Sequence, residues 1–122
     1  MRNQPKYHFF KNTTYALQGM KDVIAHETSF KIELLIAAML LPVLLLVDLA
    51  LLYKLVMFMS LMGMLLAEVI NSAIERVVDL VTLEHHEMAG RAKDVGSAIV
   101  FLSIMVFVIV WTSCFAAYFN VI

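Results

Sequence analysis

Glu68, Asn71, Ser72, Glu75 and Asp79 fall at i, i+3, i+4, i+7 and i+11 of a segment that opens Leu55-Val-Met-Phe-Met-Ser-Leu-Met-Gly-Met-Leu-Leu-Ala67. At ~100° per residue these positions share an arc of roughly 100°, so carboxylates and an amide line one face of a helix that is otherwise apolar. An ionised side chain inside a bilayer costs on the order of 3 kcal/mol, so a chain that keeps such groups on one face of a spanning helix uses them. With the span starting at Leu55, a rise of ~1.5 Å per residue puts Glu68 roughly 20 Å along it and Glu75 roughly 30 Å. Glu75 then reaches the water boundary, where a carboxylate suits a hard divalent cation. Glu68 stays deeper, where a desolvated carboxylate is suited to accept a proton.

The elements that hold these groups follow from composition. Of the 122 residues, 62% are hydrophobic and 16% charged, with a mean hydropathy of +0.87. Soluble domains are about 45–50% apolar, so the chain is expected to be an all-α membrane protein forming a single domain over residues 1–122. Three apolar spans are drawn at about 30–52, 55–80 and 92–119, each reaching the ~20 residues that ~30 Å of hydrocarbon requires. An amphipathic helix at about 8–28 precedes them. There Phe10, Leu17, Met20 and Ile24 follow helical spacing, opposed by Lys11, Gln18, Lys21 and Asp22, as in a helix lying on the membrane surface.

Eight of the nine Lys and Arg lie in Arg2–Lys31 or Arg76–Lys93, with Lys54 between them. This places those two regions and the N-terminus in the cytoplasm, and three crossings then carry the C-terminus to the periplasm. Asp48, Tyr53 and Lys54 mark the short outer turn, and the inner break from helical structure is expected at Leu83–Gly90. Pro42 should bend the first span, Trp111 and Tyr118 should anchor the outer interface, and Met57, Met59, Met62 and Met64 should face lipid or fill the core. The first 33 residues lack the continuous apolar core of a cleavable signal peptide. Cys114 is the single cysteine and reads as a buried, inert thiol.

Other polar groups converge on the cytoplasmic level: Glu27 and Glu33 at the start of the first span, and Glu84, Arg91, Lys93 and Asp94 around the inner loop. Anionic ligands for a metal beside cations for phosphate fit a metal-bound nucleotide held against the membrane, since Mg²⁺ commonly binds through one or two carboxylates plus substrate phosphates. No Walker loop, kinase glycine-rich loop or G-x-G-x-x-G is present. Taken singly, Glu75 with Arg76 or Lys93, and Glu27 with Lys31, read as ordinary interfacial ion pairs. His85 and His86 are adjacent in a loop, not one helical turn apart, so a zinc pair is not expected. A small proton- or ion-coupled subunit with Glu68 as relay is the competing class, but 57–67 and 95–122 offer no titratable carboxylate, lysine or arginine to continue a relay outward.

The run Glu68-Val-Ile-Asn71-Ser72-Ala-Ile-Glu75-Arg-Val-Val-Asp79, followed by Glu84-His-His86-Glu-Met-Ala-Gly90-Arg91-Ala-Lys93-Asp94, closely resembles the signature of the prokaryotic integral-membrane diacylglycerol kinase family. The resemblance extends back through Glu27-Thr-Ser-Phe30-Lys-Ile-Glu33 and the surface helix. It implies a homotrimer in the bacterial inner membrane that transfers the γ-phosphoryl of Mg-ATP to a lipid alcohol, with no nucleic-acid partner. By position it makes Glu68 the general base and Asn71 its neighbour in orienting the reacting groups, with Glu27 and Glu75 as Mg²⁺ ligands. Lys11, Tyr15, Glu84, His86, Gly90, Lys93 and Asp94 would hold the nucleotide, and Glu33 and Ser97 would join Glu68 at the lipid. The motifs look more like the branch that phosphorylates diacylglycerol to phosphatidic acid than the undecaprenol kinase branch. His8 and His85 depart from that branch's pattern, where Arg and an aromatic are common.

Overall fold

The computed structural model describes residues 6 and 8–122, and among them four helices and no strand: α1 Phe9–His26, α2 Thr28–Leu46, α3 Leu51–Val81 and α4 Glu87–Tyr118. Arg2, counted in the charge pattern, lies outside the described residues. α2, α3 and α4 are each long and apolar enough to cross a membrane, and the protein is a multi-pass membrane protein. α3 is the central helix. Half of its most apolar stretch is buried, against far smaller shares of α2 and α4, whose outer faces carry exposed residues such as Leu46 and Phe101.

α1 and α2 are separated by one extended residue, Glu27 (φ −106°, ψ 108°). Its N–H donates back to the Val23 carbonyl at 2.9 Å, and its own carbonyl accepts from Lys31 N–H at 3.1 Å, so the corner leaves few backbone groups unmade. α1 buries only Val23 and exposes Phe9, Phe10 and Leu17, in keeping with a helix laid along a membrane surface. Thr13 and Thr14 return their hydroxyls to the carbonyls of Phe9 and Phe10 at 2.9 and 3.0 Å.

The outer turn lies earlier than the spans drawn from sequence, at 47–50 and not at 53–54, and Tyr53 and Lys54 are already helical. The Lys54 ammonium reaches back to the Leu45 carbonyl at 3.2 Å, where it satisfies an orphan acceptor at the negative end of the α2 dipole. The inner break contracts, from the expected 83–90 to Thr82–His86, because His86 caps α4: its Nδ1 accepts the Met88 N–H at 3.1 Å. Gly90 therefore lies within α4, not in the loop. α2 continues as a helix through Pro42, and Cys114 is buried as expected.

The core joins Ala37 and Leu44 of α2, Met57, Leu61 and Met64 of α3, and Trp111 and Cys114 of α4. Met57 and Met64 are core filler, whereas Met59 and Met62 face outward. Trp111 is a correction. It is 6% exposed, and its indole N–H donates to the Met57 carbonyl at 3.1 Å, so it packs the bundle and does not anchor the interface. The ring supplies a large apolar body, and the carbonyl satisfies its donor where no water can. Trp111→Phe keeps the body and loses the donor, and should lower stability by about 1 kcal/mol in a denaturation series in micelles.

Candidate functional site

The connecting turns set which residues share a level. Counting from the outer turn, Glu27 falls opposite about residue 70 of α3, and counting from the inner loop, Asn71 falls opposite about residue 97 of α4. α2, with 19 residues, is ~28 Å long, whereas α3, with 31, is ~46 Å, so the last ten or so residues of α3 pass beyond the end of α2. Glu68 and Asn71 sit where α3 leaves the three-helix layer, and Glu75 and Asp79 stand on the projecting part.

The deep part of the site is Glu68, Asn71 and Ser72, all buried on α3. Glu68 is 6% exposed and has Glu33, Glu75 and Glu27 within electrostatic range. Asn71 Nδ2 donates to Glu75 Oε1 at 3.3 Å, which links the deep acid layer to the outer one. Two buried oxygens here have no partner among the described residues, Glu33 Oε2 and Asn71 Oδ1. A buried acceptor without a partner costs free energy, which sets these two oxygens apart from the paired groups around them.

Gly96 of α4 explains how Asn71 is held. It is buried, and a methyl at its Cα would overlap the Asn71 carboxamide oxygen and meet Ile74 Cγ2 at 3.6 Å. The absent side chain admits the Asn71 carboxamide between the helices. Sequence reasoning gave Gly96 no role, and only the small residue one place before Ser97 could have hinted at close helix approach.

On the other side of α3, Arg76 meets α1 and the corner. Its Nε and Nη2 both donate to Glu27 Oε1, at 3.3 and 3.0 Å, and its Nη1 donates to the Asp22 carboxylate. These partners are 49 and 54 residues away, whereas the sequence pointed to Lys31 for Glu27 and to Glu75 for Arg76. The Arg76 hydrogen bond holds the Asp22 carboxyl below its usual range, with His26 of the same helix adding to the effect. A carboxylate held low in this way stabilises the docked state above its undocked pKa and ceases to do so as pH falls through the lowered value. The attachment of α1 should therefore be constant from pH 7 down to about 4 and loosen only below that, read as the mobility of a spin label at Gln18.

The inner loop forms a pocket of about 300 Å³, lined among others by Thr82, Glu84, His86, Gly90 and Lys93. Four residues expected at a nucleotide thus share one cavity. Thr82, not singled out by sequence, shapes it by accepting the Glu84 N–H at 3.1 Å. Lys93 Nζ pairs with Asp79 at 2.7 Å, which brings the last member of the α3 stripe to the same place. Asp94 and Ser97 are exposed on α4. Lys11 and Tyr15 are exposed on α1 and do not line this pocket.

A second cavity of about 400 Å³ runs between α1 and α3, lined by Gly19, Met20 and Val23 on one side and by Val69, Ser72 and Ala73 on the other, with Arg76 at one end. It is almost entirely apolar. Its α3 wall begins at Val69 and Ser72, one and four residues after Glu68, which does not itself line the cavity. Among the described residues no cluster of three or more His, Cys, Asp or Glu gathers as a closed metal cage. The protein side offers instead two hard oxygen donors, Glu27 and Glu75, each within electrostatic range of Glu68. That donor set matches a cation which completes its shell with phosphate oxygens and water.

The family model of the prokaryotic diacylglycerol kinases matches residues 14–115. A diacylglycerol kinase of Haemophilus influenzae is 38% identical over 104 residues, covering 85% of this chain and 88% of that protein. One from Escherichia coli is 35% identical over 101 residues, 83% of each chain. The undecaprenol kinase of Bacillus subtilis is 34% identical over 92 residues, 75% of each. With three membrane-crossing helices and this extent of likeness, the chain belongs to the prokaryotic diacylglycerol kinase family and is a membrane-embedded lipid kinase.

Proposed function

We propose that the protein transfers the γ-phosphoryl group of Mg-ATP to diacylglycerol at the cytoplasmic face of the bacterial inner membrane, giving phosphatidic acid and ADP. The observation that carries this reading is the buried Glu68 carboxylate, on an α3 stripe that runs through Glu75 to Asp79 at Lys93 of the inner-loop pocket, with the apolar groove between α1 and α3 starting one residue on, at Val69. The groove between α1 and α3 suits the chains of a lipid whose hydroxyl comes up to Glu68. The inner-loop pocket suits the nucleotide, with Lys93 turning from Asp79 toward phosphate oxygens.

Glu68 accepts the proton of the lipid hydroxyl as its oxygen attacks the γ-phosphorus, and the bond to the ADP oxygen breaks in line. Asn71 keeps Glu68 and Glu75 in register. Glu27 and Glu75 would hold Mg²⁺, which when bound supplies compensation for the charge on the phosphates. Lys93 adds to that compensation, and positioning with electrostatics carries most of the rate.

A homotrimer belongs to the same proposal. Lys11 and Tyr15 lie outside the inner-loop pocket of their own subunit, and α2 and α4 present wide apolar faces, so a neighbouring subunit's α1 is the element that would bring these two residues to a nucleotide. The likeness to the Bacillus protein supports one second reading, undecaprenol as the acceptor. Purified protein in mixed micelles with labelled ATP and both alcohols decides between them. Diacylglycerol should take most of the label, label only in undecaprenol would move the protein to the other branch, and label in neither would overturn the lipid-kinase chemistry. Glu75→Gln should raise the Mg²⁺ concentration needed for half-maximal activity by about tenfold or more, and an unchanged requirement would remove Glu75 as a ligand.

A further inference from the structure

Arg76 does something that neither the ion-pair pattern of the sequence nor the acid cluster accounts for. Its guanidinium holds two carboxylates from two different places at once: Asp22, on α1, and Glu27, the single non-helical residue at the α1–α2 corner. Both bonds to Glu27 go to one oxygen, Oε1, so its Oε2 is left for another partner. Asp22 is itself steadied from within α1 by His26 Nδ1 at 3.0 Å.

The apolar contact is too small to do this work. α1 buries only Val23, and the groove between α1 and α3 leaves about 400 Å³ unfilled. An amphipathic helix so lightly packed keeps its distance and tilt only if something directional fixes it. The corner constrains one end of α1, and Arg76 supplies the directional contact where α1 meets α3. A planar fork with several fixed donors can serve two carboxylates together, which a lysine ammonium on a flexible stem cannot do with the same geometry.

We infer that Arg76 is a positioning residue: it fastens the surface helix and the Glu27 carboxylate to α3, keeping the groove open beside Glu68 and Glu27 aimed for metal-nucleotide binding. The kinetic half of this inference rests on the function proposed above, whereas the structural half does not.

The test uses the full-length protein in lipid nanodiscs with Cys114→Ser and a spin label at Gln18→Cys, an exposed position on α1. Arg76→Ala should mobilise the label, whereas Arg76→Lys and Asp22→Asn should each do so partly. In parallel, Arg76→Ala should raise the KM for Mg-ATP about tenfold while kcat changes less than about threefold, and should weaken Mn²⁺ binding measured by its own resonance. A label spectrum unchanged in both Arg76→Ala and Asp22→Asn overturns the inference. So does a kcat that collapses at constant KM, which would place Arg76 at the reacting atoms. If the unsubstituted protein phosphorylates no lipid alcohol, the proposed function fails while the label spectra still decide the role of Arg76. Should Arg76→Ala not fold, Arg76→Lys and Asp22→Asn carry both readouts.

Discussion

Glu68→Gln is expected to lower phosphoryl transfer by about 10²- to 10⁴-fold, the range that a positioned general base supplies, while the helices stay assembled and Mg-ATP still binds. The substitution keeps volume and hydrogen-bonding capacity and removes the group that takes the proton. It also removes a negative charge from a position that has Glu33, Glu75 and Glu27 within electrostatic range, so thermal stability should not fall and can rise. That pairing of effects separates a chemical role from a structural one. Turnover near that of the unsubstituted protein would exclude Glu68 as the base, and lost activity with lost assembly would return it to packing.

The second large effect is expected at a residue that has no functional group. In Gly96→Ala the new methyl overlaps the Asn71 carboxamide oxygen, so Asn71 must rotate away or α4 must move off α3. Either change breaks the 3.3 Å link from Asn71 to Glu75 and displaces groups that must hold near-attack geometry, where a shift of ~1 Å costs about 10²-fold in rate. Helix propensity acts in the opposite direction, since Ala is favoured over Gly by about 1 kcal/mol in a helix interior. The fall in kcat should therefore exceed anything a melting curve foretells. Adding Asn71→Ala to Gly96→Ala relieves the overlap and should recover stability without recovering turnover. A Gly96→Ala enzyme of ordinary kcat would show that Asn71 does not need its slot.

How far the site could be read in advance depended on the range of the interactions involved. The stripe from Glu68 to Asp79 is a local property of one helix, so spacing alone placed it, and the structure buries its deep members Glu68, Asn71 and Ser72. The two hairpins follow from short connections between apolar spans, and with them the levels of Glu27 against Glu68 and of Lys93 against Asp79. Contacts that join distant positions were not legible. Arg76 had plausible partners within one turn, and nothing local says that it reaches Asp22 and Glu27 across some fifty residues.

Trp111 shows a different difficulty. α4 is apolar on nearly every side, so its sequence carries little rotational information, and a ring near the outer end can equally meet lipid or the bundle. The Met57 carbonyl decides the matter, and a backbone acceptor leaves no trace in a side-chain pattern. The inner loop was drawn too long for a related reason. Gly90 looked like a breaker, yet a single glycine costs a helix only about 1 kcal/mol, and the His86 cap already fixes the start of α4 four residues earlier.

The account depends most on the claim that a lipid alcohol reaches Glu68 through the groove between α1 and α3. A diacylglycerol analogue carrying a diazirine beside the glycerol, photolysed in nanodiscs and mapped by peptide mass, tests this directly. Adducts should fall on Gly19–Val23 and Val69–Arg76 and disappear when unlabelled diacylglycerol competes. Adducts confined to another apolar groove of the bundle, such as that formed by Val56, Ser60 and Gly63 with Ser103 and Val106, would contradict it.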